Sequence, residues 1–168
     1  MAIFARRQIL GEFAVIDSQP RSAAAKAINT CTLLETTQDR FVQRLEDMPG
    51  LALAMCKQLV SKARWTTMYA ETIARLDATG RLLHFLLFYN DVFGQEEEPG
   101  KRYVLDLGLN QSDLATLVGT GRGWVNRILQ DWRKRRLIEF NAGKITFLDL
   151  PRVKEERDSR LAANQAEW

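Results

Sequence analysis

A chain of 168 residues, 46% hydrophobic and 27% charged, is long enough for one domain or two small ones and too apolar to be disordered. Its longest apolar run, residues 82–89, is far too short to span a bilayer, and Arg6, Arg7 and Glu12 break any signal-peptide core. The net charge is only +3, yet residues 121–136 carry Arg122, Arg127, Arg133, Lys134, Arg135 and Arg136 against the single anion Asp131; this local +5 leaves the remainder at −2.

Residues 2–36 read as short strands and turns, with "FAVI" and "TCTLLE" as the strands and "DSQP" as turn material between them. A short helix is expected over 38–46, ending before Pro49-Gly50. From Leu51 the steps of three and four through Met55, Leu59, Ala63, Thr66, Ala70, Ile73 and Asp77 predict a long helix. So long and narrow a stripe suits pairing with a second copy, with packing inside one chain as the alternative. A second apolar helix is expected over 79–93, then a loop through "GQEEEPGK" and a strand in "RYVLDLGL". Cys31 and Cys56 lack metal-ligand or CxxC spacing and fit a reducing cytoplasm as small buried hydrophobes.

Residues 109–140 carry the strongest signal. Asn110 is a helix N-cap and Asp113 favours the same helix end. Leu114, Leu117 and Val118 form an apolar stripe, and Gly119 permits a tight turn. Val125, Ile128, Leu129 and Trp132 then point one face of a second helix inward, which leaves Arg122, Gly123, Asn126, Arg127, Gln130 and Arg133 on the other. Two short helices across a turn, the second faced with Arg, Asn and Gln, match a helix-turn-helix. Arginine suits a guanine edge, Asn and Gln an adenine edge, and Lys134 with the neighbouring arginines suits phosphates. "LIEFNAGKITFLDL" reads as two strands around Asn141-Ala142-Gly143, a wing. Asn110 and Gln111 are further phosphate candidates at the first helix's start.

Nothing in the sequence points to catalysis. The single histidine, His84, sits in an apolar helix, and there is no Gly-rich phosphate loop, paired-carboxylate site or metal-spaced cluster. A function of another class stays open: a helical dimer whose basic face meets an acidic protein partner.

The order "TGRLLHFLL", strand, "LNQSDLATLVGTGRGWVNRIL", wing resembles the catabolite activator (Crp/Fnr) superfamily of bacterial transcription regulators. "GEFAVIDSQPRSAAA" is similar to that family's phosphate-binding cassette, and the long helix to its dimerisation helix. The resemblance implies an α+β fold divided into a partial cyclic-nucleotide-binding β-roll over 1–50, a dimerisation helix and hinge over 51–77, a winged helix-turn-helix over 78–150 and a charged tail over 151–168. The front strands of the family's β-roll have no counterpart in this sequence, through a mis-called start, degeneration or true variation. The resemblance further implies a cytoplasmic homodimer on a palindromic operator in double-stranded DNA, with RNA polymerase as a further contact and no membrane. Its effector would be cyclic AMP where the sensor is complete. Gly11, Glu12, Arg21 and Ser22 would hold ribose and cyclic phosphate, and Thr66 and Thr67 the purine. No iron–sulfur centre is expected from two scattered cysteines; haem stays open. Gly123 and Trp124 depart from the best-known member, so the operator sequence does not carry over.

Overall fold

The computed structural model describes residues 3–4 and 8–165. Arg6, Arg7 and the end of the tail at Trp168 lie outside them. The chain divides into two compact units, residues 2–68 and 69–168.

In the first unit α1 spans Glu12–Asp17, α2 spans Gln38–Asp47, and α3 (Pro49–Arg75) begins. The strands expected from "FAVI" and "TCTLLE" do not form. A strand needs a ladder partner, and the described residues here supply none, so "FAVI" closes its hydrogen bonds locally as α1. Residues 18–37 have no regular structure, and Leu33 and Leu34 are 75% and 101% exposed. The helix expected over 38–46 is α2.

The long helix is present as α3, but the expected stripe does not stay open along its length. Met55 is buried and Leu59 half-buried. The face left exposed in this unit is Leu53, Cys56, Val60, Ala63 and Thr67, again at alternating steps of three and four. Both thiols are free and exposed, so the expectation of small buried hydrophobes is corrected. Cys31 lies in the irregular segment and Cys56 on this open face.

The second unit is built on α4 (Ala78–Phe93), whose Leu82, Leu83, Phe85, Leu86, Leu87 and Tyr89 are buried. Asp77 starts it, its Oδ1 accepting from the Gly80 N–H at 2.7 Å. Around α4 pack α5 (Gln111–Val118), α6 (Arg122–Lys134), α7 (Leu150–Gln165) and an antiparallel sheet of order β1-β2-β4-β3. Its strands are β1 (Gln95–Glu98), β2 (Arg102–Asp106), β3 (Ile138–Asn141) and β4 (Lys144–Phe147). The loop expected through "GQEEEPGK" is therefore in part an edge strand. Its pattern is polar on both faces, and its register comes from β2: Arg102 pairs with Glu97 at 2.9 Å and the Tyr103 hydroxyl donates to Glu96 at 2.5 Å. Charges along an exposed edge also discourage pairing with a foreign strand.

The tail is a helix that belongs to this unit. Leu150 and Val153 are buried, and α7 packs against α4. Arg160 of α7 bonds Asp77 at 3.2 Å and Glu156 at 3.0 Å, and Glu156 accepts from Arg135 at 2.5 Å. These arginine hydrogen bonds, Arg135 first, hold the Glu156 carboxyl below its ordinary range.

His84 lies half-buried on α4 with its ring edge-on to Phe85, and its Nε2 has no hydrogen-bond partner among the described residues. Burial, reinforced by the Arg157 guanidinium, pushes its pKa below the ordinary 6.5. An unfolded chain would take up a proton near pH 6.5 that the folded chain refuses. Stability from this group is thus full above that pH and declines as pH falls through it. Denaturation midpoints at about pH 7.5 and 5.5 should fall for the wild type and hold nearly level for His84→Gln. An equal fall in both would assign the slope to another group.

Candidate nucleic-acid interface

The helix-turn-helix is assembled from local chemistry. Asn110 Oδ1 accepts from the N–H groups of Ser112 at 2.8 Å and Asp113 at 3.1 Å, while Asp113 Oδ2 accepts from the Asn110 N–H at 3.0 Å. This reciprocal box fixes where α5 begins. At its other end Gly119 takes φ +65°, left-handed, and the Thr120 N–H closes back on the Ala115 carbonyl. A side chain at position 119 would be strained there. The turn then delivers the chain into α6 at Arg122.

On α6 the inward stripe is complete: Val125 is 0%, Ile128 6%, Leu129 3% and Trp132 1% exposed. The opposite face exposes Arg122, Gly123, Trp124, Asn126, Arg127, Gln130, Arg133 and Lys134. Arg122, Arg127, Arg133 and Lys134 make no ion pair among the described residues. Arg135, grouped with the phosphate contacts by sequence, is instead tied to Glu156 and Asp131 and is withdrawn from that set. Gln111 Nε2 donates to Asn126 Oδ1 at 3.3 Å, so the start of α5 and the open face of α6 are one polar surface. Nothing lies within 4 Å of a Cβ built on Gly123, so the N-terminal end of this face is clear for close approach.

The wing is the hairpin β3–β4. Ala142 and Gly143 take φ of +49° and +83° between the paired residues Asn141 and Lys144. Such a two-residue turn needs positive φ at both positions. A Cβ on Gly143 would also press on the backbone of Gly108 at 3.2 Å.

The nucleotide candidates lie in the first unit. Glu12, 4% exposed, is engaged by Lys62 Nζ at 2.5 Å, and that ammonium also donates to the Ile9 carbonyl at 2.8 Å. It sits 5.0 Å from the Phe4 ring centre as well. The Arg21 guanidinium lies against Gly11, where a side chain would collide with it, and Ser22 is exposed. Thr66 and Thr67 are exposed, their hydroxyls donating to the Lys62 and Ala63 carbonyls at 3.0 and 3.1 Å. Of the six residues, Gly11 and Arg21 lie together, Glu12 is bound to Lys62, Ser22 is exposed, and Thr66 and Thr67 share a helix turn. Sequence reasoning missed Lys62. Among the described residues, no group of three His, Cys, Asp or Glu could hold a metal, and no helix is long and apolar enough to cross a membrane.

A capped helix, a left-handed turn, a second helix with a buried stripe and a two-stranded hairpin together define a winged helix-turn-helix protein. Residues 80–156 match the Crp-like helix-turn-helix domain family. The chain is 31% identical to the global nitrogen regulator of Synechocystis sp. over 148 residues, 87% of this chain and 65% of that protein. It is 26% identical to the CRP-like cAMP-activated global transcriptional regulator of Mycobacterium tuberculosis, over 91% and 67% of the two chains. Among solved structures, a CooA mutant from Carboxydothermus hydrogenoformans matches with a TM-score of 0.65 at 28% identity, over 71% of this chain and 54% of that one. A CRP/FNR-family transcriptional regulator from Thermus thermophilus matches with a TM-score of 0.57 at 26% identity, over 67% and 56%. Residues 80–156 are thus a Crp-like helix-turn-helix domain, and the chain as a whole is similar to regulators of the CRP/FNR type, spanning about two thirds of the length of the curated relatives and about half that of the solved ones.

Proposed function

We propose that the chain is a sequence-specific DNA-binding transcription regulator that works as a homodimer. The observation that carries this is the face of α6. Arg122, Arg127, Arg133 and Lys134 stand without an ion pair among the described residues, beside Asn126 and Gln130 and over a stripe that is fully buried. Unpaired cations displace counterions from phosphates, and the planar donors of Arg with the amides of Asn and Gln read base edges. Gln111, Asn110 through its free amide nitrogen, and the wing are the flanking backbone contacts.

Dimerisation is supported by the open face of α3. Leu53 and Val60 are 58% and 53% exposed, on a stripe whose 3,4 spacing is that of a helix pairing along its length. Two α6 helices related by a two-fold axis would enter major grooves about one helical turn apart. Duplexes selected from a randomised pool test this. A palindromic site bound on the order of a thousand times more tightly than random DNA is expected. Equal binding of all duplexes would favour an acidic protein partner.

Control by a cyclic nucleotide enters the proposal only through relatives named as cAMP-activated. Gly11, Glu12, Arg21, Ser22, Thr66 and Thr67 are the contacts it would use. The Lys62 ammonium opposes it, because a ribose hydroxyl would have to displace a charge-assisted bond from Glu12. Calorimetry of this chain with cyclic AMP is expected to show no micromolar binding. Saturable micromolar heat would overturn that expectation.

A further inference from the structure

The first turn of α6 carries an unusual pair. Trp124 is 48% exposed, and the Arg127 guanidinium carbon lies 4.7 Å from the centre of its ring, one helical turn further on. Arg127 has no hydrogen bond or ion pair among the described residues, so the ring is the one group that restrains it there. Trp124 lines a shallow cleft of about 280 Å³ with Thr79, Asp131, Trp132 and Arg160.

We propose that Trp124 is a positioning residue for Arg127, holding the guanidinium plane ready for a base edge. Specificity at that base pair would then be set by the stacked pair and not by the arginine alone. The proposal rests on the DNA-binding reading of α6. A free arginine samples many rotamers and loses them on binding, whereas a stacked one has given them up beforehand. A guanidinium laid flat on the ring would use its face and leave its N–H groups, which lie in the plane, free for a bidentate clamp. The neighbouring Gly123 keeps the approach to this pair clear.

The test combines a measurement without DNA and a binding cycle. In the free protein, NMR should show the Arg127 side-chain protons shifted by the indole ring current, and W124L should abolish that shift. Against the selected duplex, W124L should weaken binding about tenfold while binding to random DNA stays unchanged. W124F should recover most of the loss, since it restores a π face, and W124L should cost little more once Arg127 is alanine. Absence of the ring-current shift in the wild type overturns the proposal whatever DNA does. Equal losses for W124L and W124F, or a full loss persisting in the R127A background, overturn it too and assign Trp124 a direct apolar contact. A wild-type protein that shows the shift but discriminates no duplex overturns the DNA-binding reading, and this proposal with it.

Discussion

Trp132→Ala is expected to lower the stability of the second unit by about 3–5 kcal/mol. The indole is 1% exposed and lies in the stripe that seats α6 on the rest of the unit. Removing it leaves a cavity that a close-packed interior fills only in part. Domains are commonly stable by about 5–15 kcal/mol, so this loss consumes much of the margin. Trp132→Phe should cost far less. Trp132 Nε1 is buried with no hydrogen-bond partner among the described residues, and phenylalanine removes that orphan donor, worth about 1–3 kcal/mol, against a smaller void. Urea unfolding followed by far-UV circular dichroism would rank the variants, with the slope unchanged if only the folded state is affected. An unchanged midpoint for Trp132→Ala would mean the stripe does not hold α6 in place.

The second large effect is on recognition. Arg127→Ala should cost the selected duplex about 1–3 kcal/mol and relax discrimination at one base pair. Lys134→Ala should weaken all duplexes alike and reduce the salt slope by about one. Lys134 ends α6 as an exposed cation without an ion pair among the described residues, whereas Arg127 lies in the N-terminal half of the helix, where base contacts are made. Binding to matched and mismatched duplexes at several salt concentrations separates the two roles. Identical behaviour of the two variants would show that the face has been assigned wrongly.

The helix-turn-helix was legible because its signals are local and agree with one another. The Asn110–Asp113 box, a glycine at the left-handed turn and an apolar 3,4 stripe each restrict a few consecutive residues to the same outcome. The wing was legible for the same reason, through the turn-forming Asn141-Ala142-Gly143 between two apolar runs, although the positive φ at Ala142 was not. What sequence missed depends on distant partners. Gln95–Glu98 has no apolar alternation and becomes a strand only because β2 lies beside it. "FAVI" is a run of four, too short to tell helix from strand, and the absence of a ladder decided it. Lys62 and Glu12 are separated by 50 positions, and Gln111 and Asn126 by 15. Neither pairing leaves a mark in spacing, although each defines part of a candidate site. Arg135 looked equivalent to its basic neighbours until α7 supplied Glu156 as its partner.

Methylation interference on the selected duplex tests most directly whether the open face of α6 enters a major groove. Guanine N7 lies in that groove and is the atom a bidentate arginine uses. N7 methylation is expected to block binding at two clusters about one helical turn apart, and in each cluster the guanine contacted by an Arg127 should lose its effect in Arg127→Ala. Binding that tolerates N7 methylation everywhere, or that is blocked only by modification of the minor groove, would contradict this placement of α6.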